Sequence, residues 1–229
     1  MNNEDCATIS VIIPTLNETE TILDTIRHVR EAEDVEIIVV DGGSTDTTIS
    51  IARETADHIL YAMASRGGQM DVGAEKARGD ILLFLHADTY LPKGWDSMVR
   101  NGVKTDSIGG AFNLSINSDN KYLSFVSCIA NLRSRFLGMT YGDQAIFVKR
   151  DVFNRVGGFK GLPLFEDVDL WRRLKRCGRL VIMKDSVHTS SRRWKQKGAF
   201  IGTVKNMFFI LLYYIGVSPQ RLYKQYYGK

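Results

Sequence analysis

Three acidic clusters carry the side chains that could do chemistry in this chain. They are residues 39–46 with Asp41, residues 84–88 with Asp88, and residues 165–170 with Glu166 and Asp167. The first two clusters directly follow short apolar runs, which are typical of buried parallel strands. The C-terminal ends of such strands form the edge of an α/β sheet where ligands bind. Because clustered carboxylates need a cation or a hydrogen-bond donor beside them, the sequence predicts a site for a metal-bound nucleotide at this edge.

Strands and helices alternate along the chain, and this order would place the acidic clusters at the ends of strands. The patterns predict strands over residues 8–14, 35–40, 58–62, 80–85, 108–116, 140–148 and 180–183, and helices over 18–30, from about residue 45, within 65–76, over 120–137 and after Phe165. Ser44 or Thr45 is expected to cap the second helix. The repeated strand–helix–strand order is typical of a parallel sheet with right-handed crossovers. We therefore predict an α/β fold.

Composition and charge favour one globular enzyme domain with a basic end. The chain has 229 residues, 44% hydrophobic and 24% charged, and its net charge is +4. Residues 1–149 hold 13 Lys or Arg against 21 Asp or Glu, whereas residues 150–229 hold 17 against 5. The spacing of the three cysteines predicts neither a zinc cluster nor a disulfide framework. Residues 1–5 do not resemble a secretory signal, so a cytoplasmic location is expected.

The C-terminal region leaves two interpretations open. Residues 207–215 are apolar around every face of a helix, but the stretch is too short for a confident transmembrane span. With its basic neighbours it could form an interfacial helix on the inner face of the membrane. Alternatively, Phe200, Val204, Phe208, Leu211 and Ile215 form a stripe that packs on the catalytic domain. Nucleic-acid binding is not expected, since the aromatic residues do not alternate with the Arg and Lys residues.

The motifs of the chain resemble those of family 2 glycosyltransferases with the GT-A fold. The glycine-rich dinucleotide and P-loop motifs are absent. Four segments carry the resemblance in the same order as in the family, namely residues 9–18, 39–46, 77–88 and 156–170. The resemblance implies a mixed sheet flanked by helices, with a catalytic domain over residues 1–190. Its nucleotide-binding half would be 1–105 and its acceptor half 106–190, followed by a basic and apolar helical extension over 191–229.

The resemblance also implies an activity and a donor site. Members transfer a sugar from a nucleotide-diphosphate donor, usually UDP-linked, to an acceptor hydroxyl with inversion. The expected nucleotide-binding residues are Thr15, Glu18, Asp41, Arg66, Gln69, Arg192 and Arg193. A carboxylate at Asp41 suits the imide N–H of uracil, because an ionised carboxylate only accepts hydrogen bonds. The alternatives are a turn residue for Asp41, a helix-start acid for Glu18, and a solvated loop for Arg66 and Gln69.

The remaining expected roles are metal binding and catalysis. Asp88 matches the second acid of the family's D-x-D motif and is expected to bind Mn²⁺ or Mg²⁺, with His188 as a further ligand. His86 replaces the first acid and either contacts the ribose or only ends a strand. Asp167 is expected to be the general base, although it could merely cap a helix. The expected sugar or acceptor contacts are Asp143, Gln144 and Glu166.

Two other functions fit parts of the same pattern. A sugar-nucleotide pyrophosphorylase has a similar sheet but would need a glycine-rich basic loop after the first strand, where residues 14–18 offer neither feature. A catalytically inactive nucleotide-sugar sensor, or a membrane scaffold, would need no base. The presence of Asp167 therefore favours an enzyme whose partners are a nucleotide-sugar donor and an acceptor that could be lipid-linked.

Overall fold

The computed structural model describes residues 7–104, 106–118, 120–192 and 199–228, and only the backbone of residues 199–201. Its centre is a mixed sheet with the strand order β3-β2-β1-β4-β7-β6-β8-β5. The strands are β1 (Ile9–Thr15), β2 (Val35–Asp41), β3 (His58–Tyr61), β4 (Ile81–Phe84), β5 (Thr89–Tyr90), β6 (Ser107–Asn117), β7 (Phe147–Lys149) and β8 (Arg179–Ser190). Strands β1 to β4 run parallel, and β7 and β5 lie antiparallel to their neighbours.

Helices cover both faces of the sheet. They are α1 (Ile22–Val29), α2 (Thr48–Ala52), α3 (Arg66–Lys76), α4 (Trp95–Lys104), α5 (Lys121–Leu132), α6 (Arg150–Val156), α7 (Glu166–Cys177), α8 (Ala199–Tyr214) and α9 (Pro219–Tyr227). A π-helical segment, Arg133–Leu137, extends α5, and a 3₁₀ turn spans Gly142–Gln144.

Alternating side chains of β1 build the two cores on either side of the sheet. Val11 and Ile13 pack on one face with residues of α1, α2, α4 and α5. Ile12 points to the other face, where it packs with residues of α3, α6 and α7. Each of these three side chains is fully buried. A strand buried on both faces reads as a continuous apolar run, which explains the pattern that predicted it.

Most predicted elements form, with two corrections. The segment predicted as a strand over 140–148 is a 3₁₀ turn followed by the short strand β7. The second helix begins only at Thr48, so neither Ser44 nor Thr45 caps it. Asp46 Oδ1 accepts the Thr48 N–H at 3.0 Å instead. Because several hydroxyl and carboxylate side chains stand close together here, sequence alone could not select the residue that bonds the helix start.

The C-terminal helices expose an apolar stripe. Val204, Met207, Phe208, Leu211 and Ile215 are between 50% and 69% exposed. The interpretation that a stripe including Val204, Phe208, Leu211 and Ile215 packs on the catalytic domain is therefore wrong, and Phe200 lies outside the side chains described. The opposite face of α8 packs inward. Phe209 is buried, and the ring centre of Tyr213 lies 5.2 Å from that of Phe165. No helix in the described part of the chain is long and apolar enough to cross a membrane.

Candidate active site

A cleft of about 550 Å³ opens at the C-terminal ends of β1 and β4. The start of α3, the loop of residues 161–164 and helix α9 complete its walls. The predicted site residues that line it are Thr15, Glu18, Arg66, Gln69, Asp88 and Glu166, together with His86. Side chains from residue 15 to residue 166 therefore meet at one edge of the sheet, as the strand-end argument predicts.

Gln69 joins the ends of β1 and β2 at the base of the cleft. Its amide nitrogen donates to the carbonyl oxygens of Thr15 at 2.9 Å and Val40 at 2.8 Å. Both N–H groups of the amide are used in this way, and the side chain is only 5% exposed. Gln69 therefore positions the strand ends, and only its carbonyl oxygen can still bind a ligand.

Asp41 organises the turn after β2. One carboxylate oxygen accepts the N–H groups of Gly43 and Ser44, both at 2.9 Å. The other accepts the Ser44 hydroxyl at 2.5 Å. Asp41 is 2% exposed, so the alternative role of a turn residue is one that it performs. A carboxylate has about four acceptor positions, which leaves room for one further donor such as a base N–H.

The loops after β1 and β2 are tied together through Asn17, a residue that sequence reasoning did not select. Its N–H donates to the Ser44 hydroxyl oxygen at 2.9 Å, and its side-chain oxygen accepts the Thr45 N–H at 2.9 Å. Asn17 has left-handed backbone, with φ at 55°. Asn tolerates this conformation better than most residues. Two further non-glycine residues with positive φ lie beside the site, Ala145 at 46° and Phe165 at 65°.

Glu18 and Arg192 form an ion pair beside the cleft. The Arg192 guanidinium donates to Glu18 Oε2 and lies 3.8 Å from Glu20. The hydrogen bond to Glu18 raises the pKa of Arg192, and the charge of Asp88 acts in the same direction. The predicted phosphate-binding arginine is therefore held near Asp88 by an acid of the β1 loop. Its predicted companion, Arg193, lies outside the described residues.

A second cation, Arg66, approaches the cleft from the first residue of α3. Its guanidinium lies 3.7 Å from Glu166 Oε1. Glu166 is almost fully buried, whereas the Arg66 side chain is 39% exposed. Because Arg66 lines the cleft and its side chain is partly exposed, its guanidinium can still bond to an anionic ligand.

Asp88 is a buried carboxylate in the cleft, with 5% of its surface exposed. Its carbonyl oxygen accepts the Ser190 N–H at 3.0 Å, which joins it to β8. His188 pairs with Tyr90 farther along the same ladder, is exposed, and does not line the cleft. The structure thus brings Asp88 to the site, and metal binding by His188 stays a prediction.

Asp167 lies at the start of α7. Its Oδ2 accepts the Gly142 N–H at 2.5 Å, and its Oδ1 accepts the Val168 N–H at 2.7 Å. A Cβ built on Gly142 would lie 3.1 Å from Asp167 Oδ2 and 3.3 Å from His86 Nε2. The His86 ring and the Asp167 carboxylate therefore meet at a residue without a side chain, and the 3₁₀ turn links the D-x-D position to the predicted base.

The 3₁₀ turn places its two predicted residues differently. Asp143 is half-buried, whereas Gln144 has no exposed surface. Gln144 accepts the Ser134 hydroxyl at 2.8 Å and donates to the Phe112 carbonyl at 3.0 Å. A side chain enclosed in this way cannot touch a sugar or an acceptor, so we do not retain Gln144 as a contact residue. It supports the turn instead, because it bonds to β6 and to the π-helical segment.

Tyr141, at the start of the turn, adds an aromatic ring beside the acids. Burial raises the pKa of Tyr141 to about 12. The guanidinium of Arg133 lies 3.4 Å from the centre of its ring. The phenol therefore stays protonated at neutral pH, and its stacking on Arg133 fixes the turn against the π-helical segment.

Arg173 fixes the glycine turn that precedes the Glu166 loop. It pairs with Asp169 one helical turn earlier at 2.7 Å, and it donates to the carbonyl oxygens of Val156 at 2.8 Å and Gly158 at 2.7 Å. Asp71 of α3 holds the same turn by accepting the Phe159 N–H at 2.8 Å. Burial raises the pKa of Asp71. The turn that precedes the loop leading to Glu166 and Asp167 is thus supported from two helices.

Comparison with known proteins decides the family. Residues 10–160 match the model of glycosyl transferase family 2. The chain belongs to this family. One relative is the undecaprenyl-phosphate 4-deoxy-4-formamido-L-arabinose transferase of Enterobacter sp. (strain 638), 34% identical over 97 residues, 37% of this chain and 30% of the relative. The first curated relatives match over 20% to 36% of their own length, so this chain spans only part of each.

Solved structures confirm the fold. The mannosyltransferase of Pyrobaculum calidifontis, in complex with GDP-Man and Mn²⁺, superimposes with a TM-score of 0.62 at 20% identity, over 82% of this chain and 57% of that one. Glucosyl-3-phosphoglycerate synthase of Mycobacterium tuberculosis, in complex with Mn²⁺, UDP and glucosyl-3-phosphoglycerate, superimposes with a TM-score of 0.56 at 18% identity. The match covers 80% of this chain and 70% of that one. The family 2 chain therefore has the GT-A fold, and the α/β prediction is confirmed.

The oxygen donors of the cleft suit a divalent cation that is bound together with phosphates. No group of three or more potential ligand residues occurs within the described ranges of the chain. Asp88 offers a buried carboxylate, the kind of ligand that Mn²⁺ and Mg²⁺ prefer. Such cations are often held by one or two carboxylates while substrate phosphates and water complete the coordination. The residues present fit this arrangement, in which Asp88 would be the protein ligand.

Proposed function

We propose that this family 2 glycosyltransferase transfers a sugar from a UDP-linked donor to an acceptor hydroxyl with inversion at the anomeric carbon. The observation that carries the proposal is that Asp167 and His86 both approach Gly142. His86 lines the cleft together with Asp88 and with Glu18, the ion-pair partner of Arg192. An inverting transfer needs a base for the acceptor hydroxyl and a positive group for the departing diphosphate. The candidate residues for both tasks come from distant parts of the sequence and converge here.

Asp167 is the proposed base. Each of its carboxylate oxygens accepts one backbone N–H, from Gly142 and from Val168. These bonds fix the orientation of the carboxylate, and each oxygen keeps a second lone pair for a proton. A base that is oriented before the acceptor arrives loses little entropy in the reaction, which is a main source of rate enhancement.

The leaving diphosphate would be stabilised by positive groups at the same cleft. Asp88 would hold Mn²⁺ or Mg²⁺, which when bound neutralises charge on the phosphates. Arg192 and Arg66 supply guanidinium groups that can bond to phosphate oxygens. Both arginines pair with acids, Glu18 and Glu166, so they are already directed at the cleft. Asp41 is the proposed acceptor for the uracil N–H.

The acceptor is proposed to be lipid-linked, with the protein bound peripherally at the inner face of the membrane. The apolar stripe of α8 is exposed, and a second one lies on α5 and the π-helical segment, where Phe125, Ile129, Leu132 and Phe136 are 41% to 79% exposed. The two segments, residues 121–137 and 199–229, contain seven Lys or Arg residues and no acid. Apolar side chains with only basic charges among them suit an anionic lipid surface.

Binding and transfer experiments test the proposal separately. Thermal unfolding with UDP and with GDP, each with and without Mn²⁺, should show a UDP- and metal-dependent rise in melting temperature, because a ligand that binds the folded state stabilises it. Sugar release from UDP-glucose and other UDP-sugars should then reveal turnover. UDP binding with no turnover towards any donor or acceptor would favour the inactive sensor. Absence of nucleotide binding would overturn the donor assignment.

A further inference from the structure

Helix α9 brings two tyrosines to the donor cleft from the far end of the chain. Tyr223 and Tyr227 are one helical turn apart, with ring centres 4.8 Å from each other, and both line the cleft with Glu18, Asp88 and Glu166. Of the described residues that line the cleft, only His86, Tyr223 and Tyr227 carry aromatic rings. No motif of the resemblance reaches this helix, since the last segment ends at residue 170.

The helix is held firmly enough to place these rings. Leu222 has no exposed surface, and the Ser218 hydroxyl accepts the Arg221 N–H at 3.4 Å at the helix start. Lys205 of α8 donates to the Tyr226 carbonyl at 2.8 Å, and the Tyr226 hydroxyl donates to Asn206 at 2.7 Å. The position of α9 is therefore set by bonds and packing that do not involve Tyr223 or the Tyr227 hydroxyl.

Helix α8 in turn connects α9 to the catalytic elements. Tyr213 packs on Phe165, the residue before Glu166. The Arg172 guanidinium of α7 lies 5.7 Å from the Tyr213 ring centre and 5.4 Å from that of Tyr214. The wall formed by α9 is thus linked through α8 to the helix that carries Asp167.

We propose that Tyr223 and Tyr227 are donor-binding residues whose rings cover a ring of the bound nucleotide sugar. The proposal rests on the proposed function, because it requires a nucleotide sugar in this cleft. Tyr227 is 51% exposed, so much of its surface is free to be covered by a ligand. The other walls carry carboxylates, Arg66, Gln69, small residues and aliphatic side chains such as those of Leu16 and Leu162. Apart from His86, none of these described lining residues offers a flat ring on which a planar base could stack.

Either ring system of the donor could meet the tyrosines, and binding measurements distinguish them. A base stacks face to face on an aromatic ring, whereas a sugar packs its C–H face against one. Loss of stacking on one aromatic side chain weakens nucleotide binding by about tenfold or more. If the base is covered, UDP and UDP-sugar lose affinity together. If the sugar is covered, only the intact donor does.

The test is calorimetric titration of UDP, GDP, UDP-glucose and GDP-mannose in the presence of Mn²⁺. We expect Tyr223→Ala and Tyr227→Ala to weaken binding of the accepted ligand about tenfold. Tyr223→Phe and Tyr227→Phe, which keep the rings, should stay within about twofold. Tyr61→Ala is the matched control, since Tyr61 is 60% exposed and does not line the cleft. Equal melting temperatures of the unliganded variants would show that α9 remains folded.

Two results overturn the inference in different ways. If the unaltered protein binds a ligand and both alanine variants bind it within twofold, the tyrosines are not donor-binding residues and the proposed function stands. The same conclusion follows if the Phe variants lose as much affinity as the Ala variants while the melting temperature falls, because the helix is then merely structural. If the unaltered protein binds none of the four ligands, the proposed function fails first and this inference fails with it.

Discussion

The carboxylate of Asp167 and the imidazole of His86 converge on Gly142, which has no side chain to separate them. A methyl group there would lie 3.1 Å from the Asp167 oxygen and 3.3 Å from His86 Nε2, closer than ordinary van der Waals contacts. A side chain at this position would therefore force the Asp167 carboxylate or the His86 ring to move by a few tenths of an ångström. The backbone N–H of Gly142 also holds Asp167 in place, so the same residue both admits and orients the proposed base.

Gly142→Ala should accordingly impair the chemical step more than donor binding. The added methyl group displaces Asp167 by a few tenths of an ångström or more, and misplacement of a catalytic group can cost about a hundredfold in rate. We expect kcat to fall at least tenfold while UDP affinity stays within about threefold. Gly68→Ala is the control, because its Cβ would make only an ordinary 3.6 Å contact with Ser65. Equal loss in both variants would contradict this explanation.

Asp167→Asn tests the base itself. The amide oxygen can still accept one backbone N–H, but the group can no longer take a proton, so we expect kcat to fall by about a hundredfold or more. UDP affinity, measured by calorimetry, should remain near that of the unaltered protein. A kcat within a few-fold of the original would rule out Asp167 as the base and leave it as a helix-start residue.

Asp88→Ala tests the metal site. We expect Mn²⁺ to raise UDP affinity in the unaltered protein and to have no effect in this variant, since the buried carboxylate is the proposed metal ligand. Asp151→Ala is a suitable control, because Asp151 is exposed and pairs with Arg155 one turn along α6. His188→Ala should reduce the Mn²⁺ effect partially if His188 becomes a ligand. Equal UDP affinity with and without Mn²⁺ in the unaltered protein would refute both metal assignments.

The exposed stripe of α8 gives a prediction about lipid binding. The double variant Phe208→Ser/Leu211→Ser should bind anionic vesicles at least about tenfold more weakly. Burial of one such side chain contributes about 1.5–3 kcal/mol to the free energy of binding. Vesicle sedimentation at low and high salt measures the effect, and salt should weaken binding in the unaltered protein. Met63→Ser is the control, because Met63 is 89% exposed but lies on the loop after β3. A protein that ignores anionic vesicles at low salt would contradict the membrane proposal.

Asp71 predicts a pH dependence of stability. Its pKa is raised in the folded state by burial, so the folded state binds this proton more tightly than the unfolded state does. The protonated Asp71 therefore contributes to the free energy of unfolding at low pH, and this contribution is lost as the pH rises through the folded-state pKa. Asp71→Asn cannot ionise and can still accept the Phe159 N–H. Urea unfolding at pH 4 and pH 7 should show the variant gaining stability relative to the unaltered protein at pH 7. No relative gain would mean that the ionised carboxylate is not destabilising.

The strands at the centre of the sheet were predictable because of their burial. The runs of β1 and β2 are apolar on both faces, and the acids that follow them lie at the strand ends in the structure. Helix α4 was not predicted, although Trp95, Val99 and Val103 recur every four residues and are all buried. That spacing was a usable signal.

The placement of individual site residues was less predictable. Gln144 and Gln69 are both polar residues beside motifs, yet one is fully enclosed and the other bonds two strand ends. Such roles depend on which backbone groups stand unpaired after folding, and a local pattern does not carry this information. Tyr223 and Tyr227 could not be found either, because they lie more than 50 residues beyond the last motif and reach the cleft only through the packing of α8 and α9.

The pairing of β4 with β7 and of β5 with β8 has a consequence for the order in which the chain can fold. Thr89 and Thr189, whose hydroxyls bond at 3.1 Å, are separated by 100 residues. During synthesis on a ribosome, β4 and β5 emerge long before their partners and present unpaired backbone until then. Open strand edges of this kind promote association between chains, and contacts so distant in sequence form slowly. Until residues 147–190 have emerged, this edge of the nascent protein is therefore open to such association.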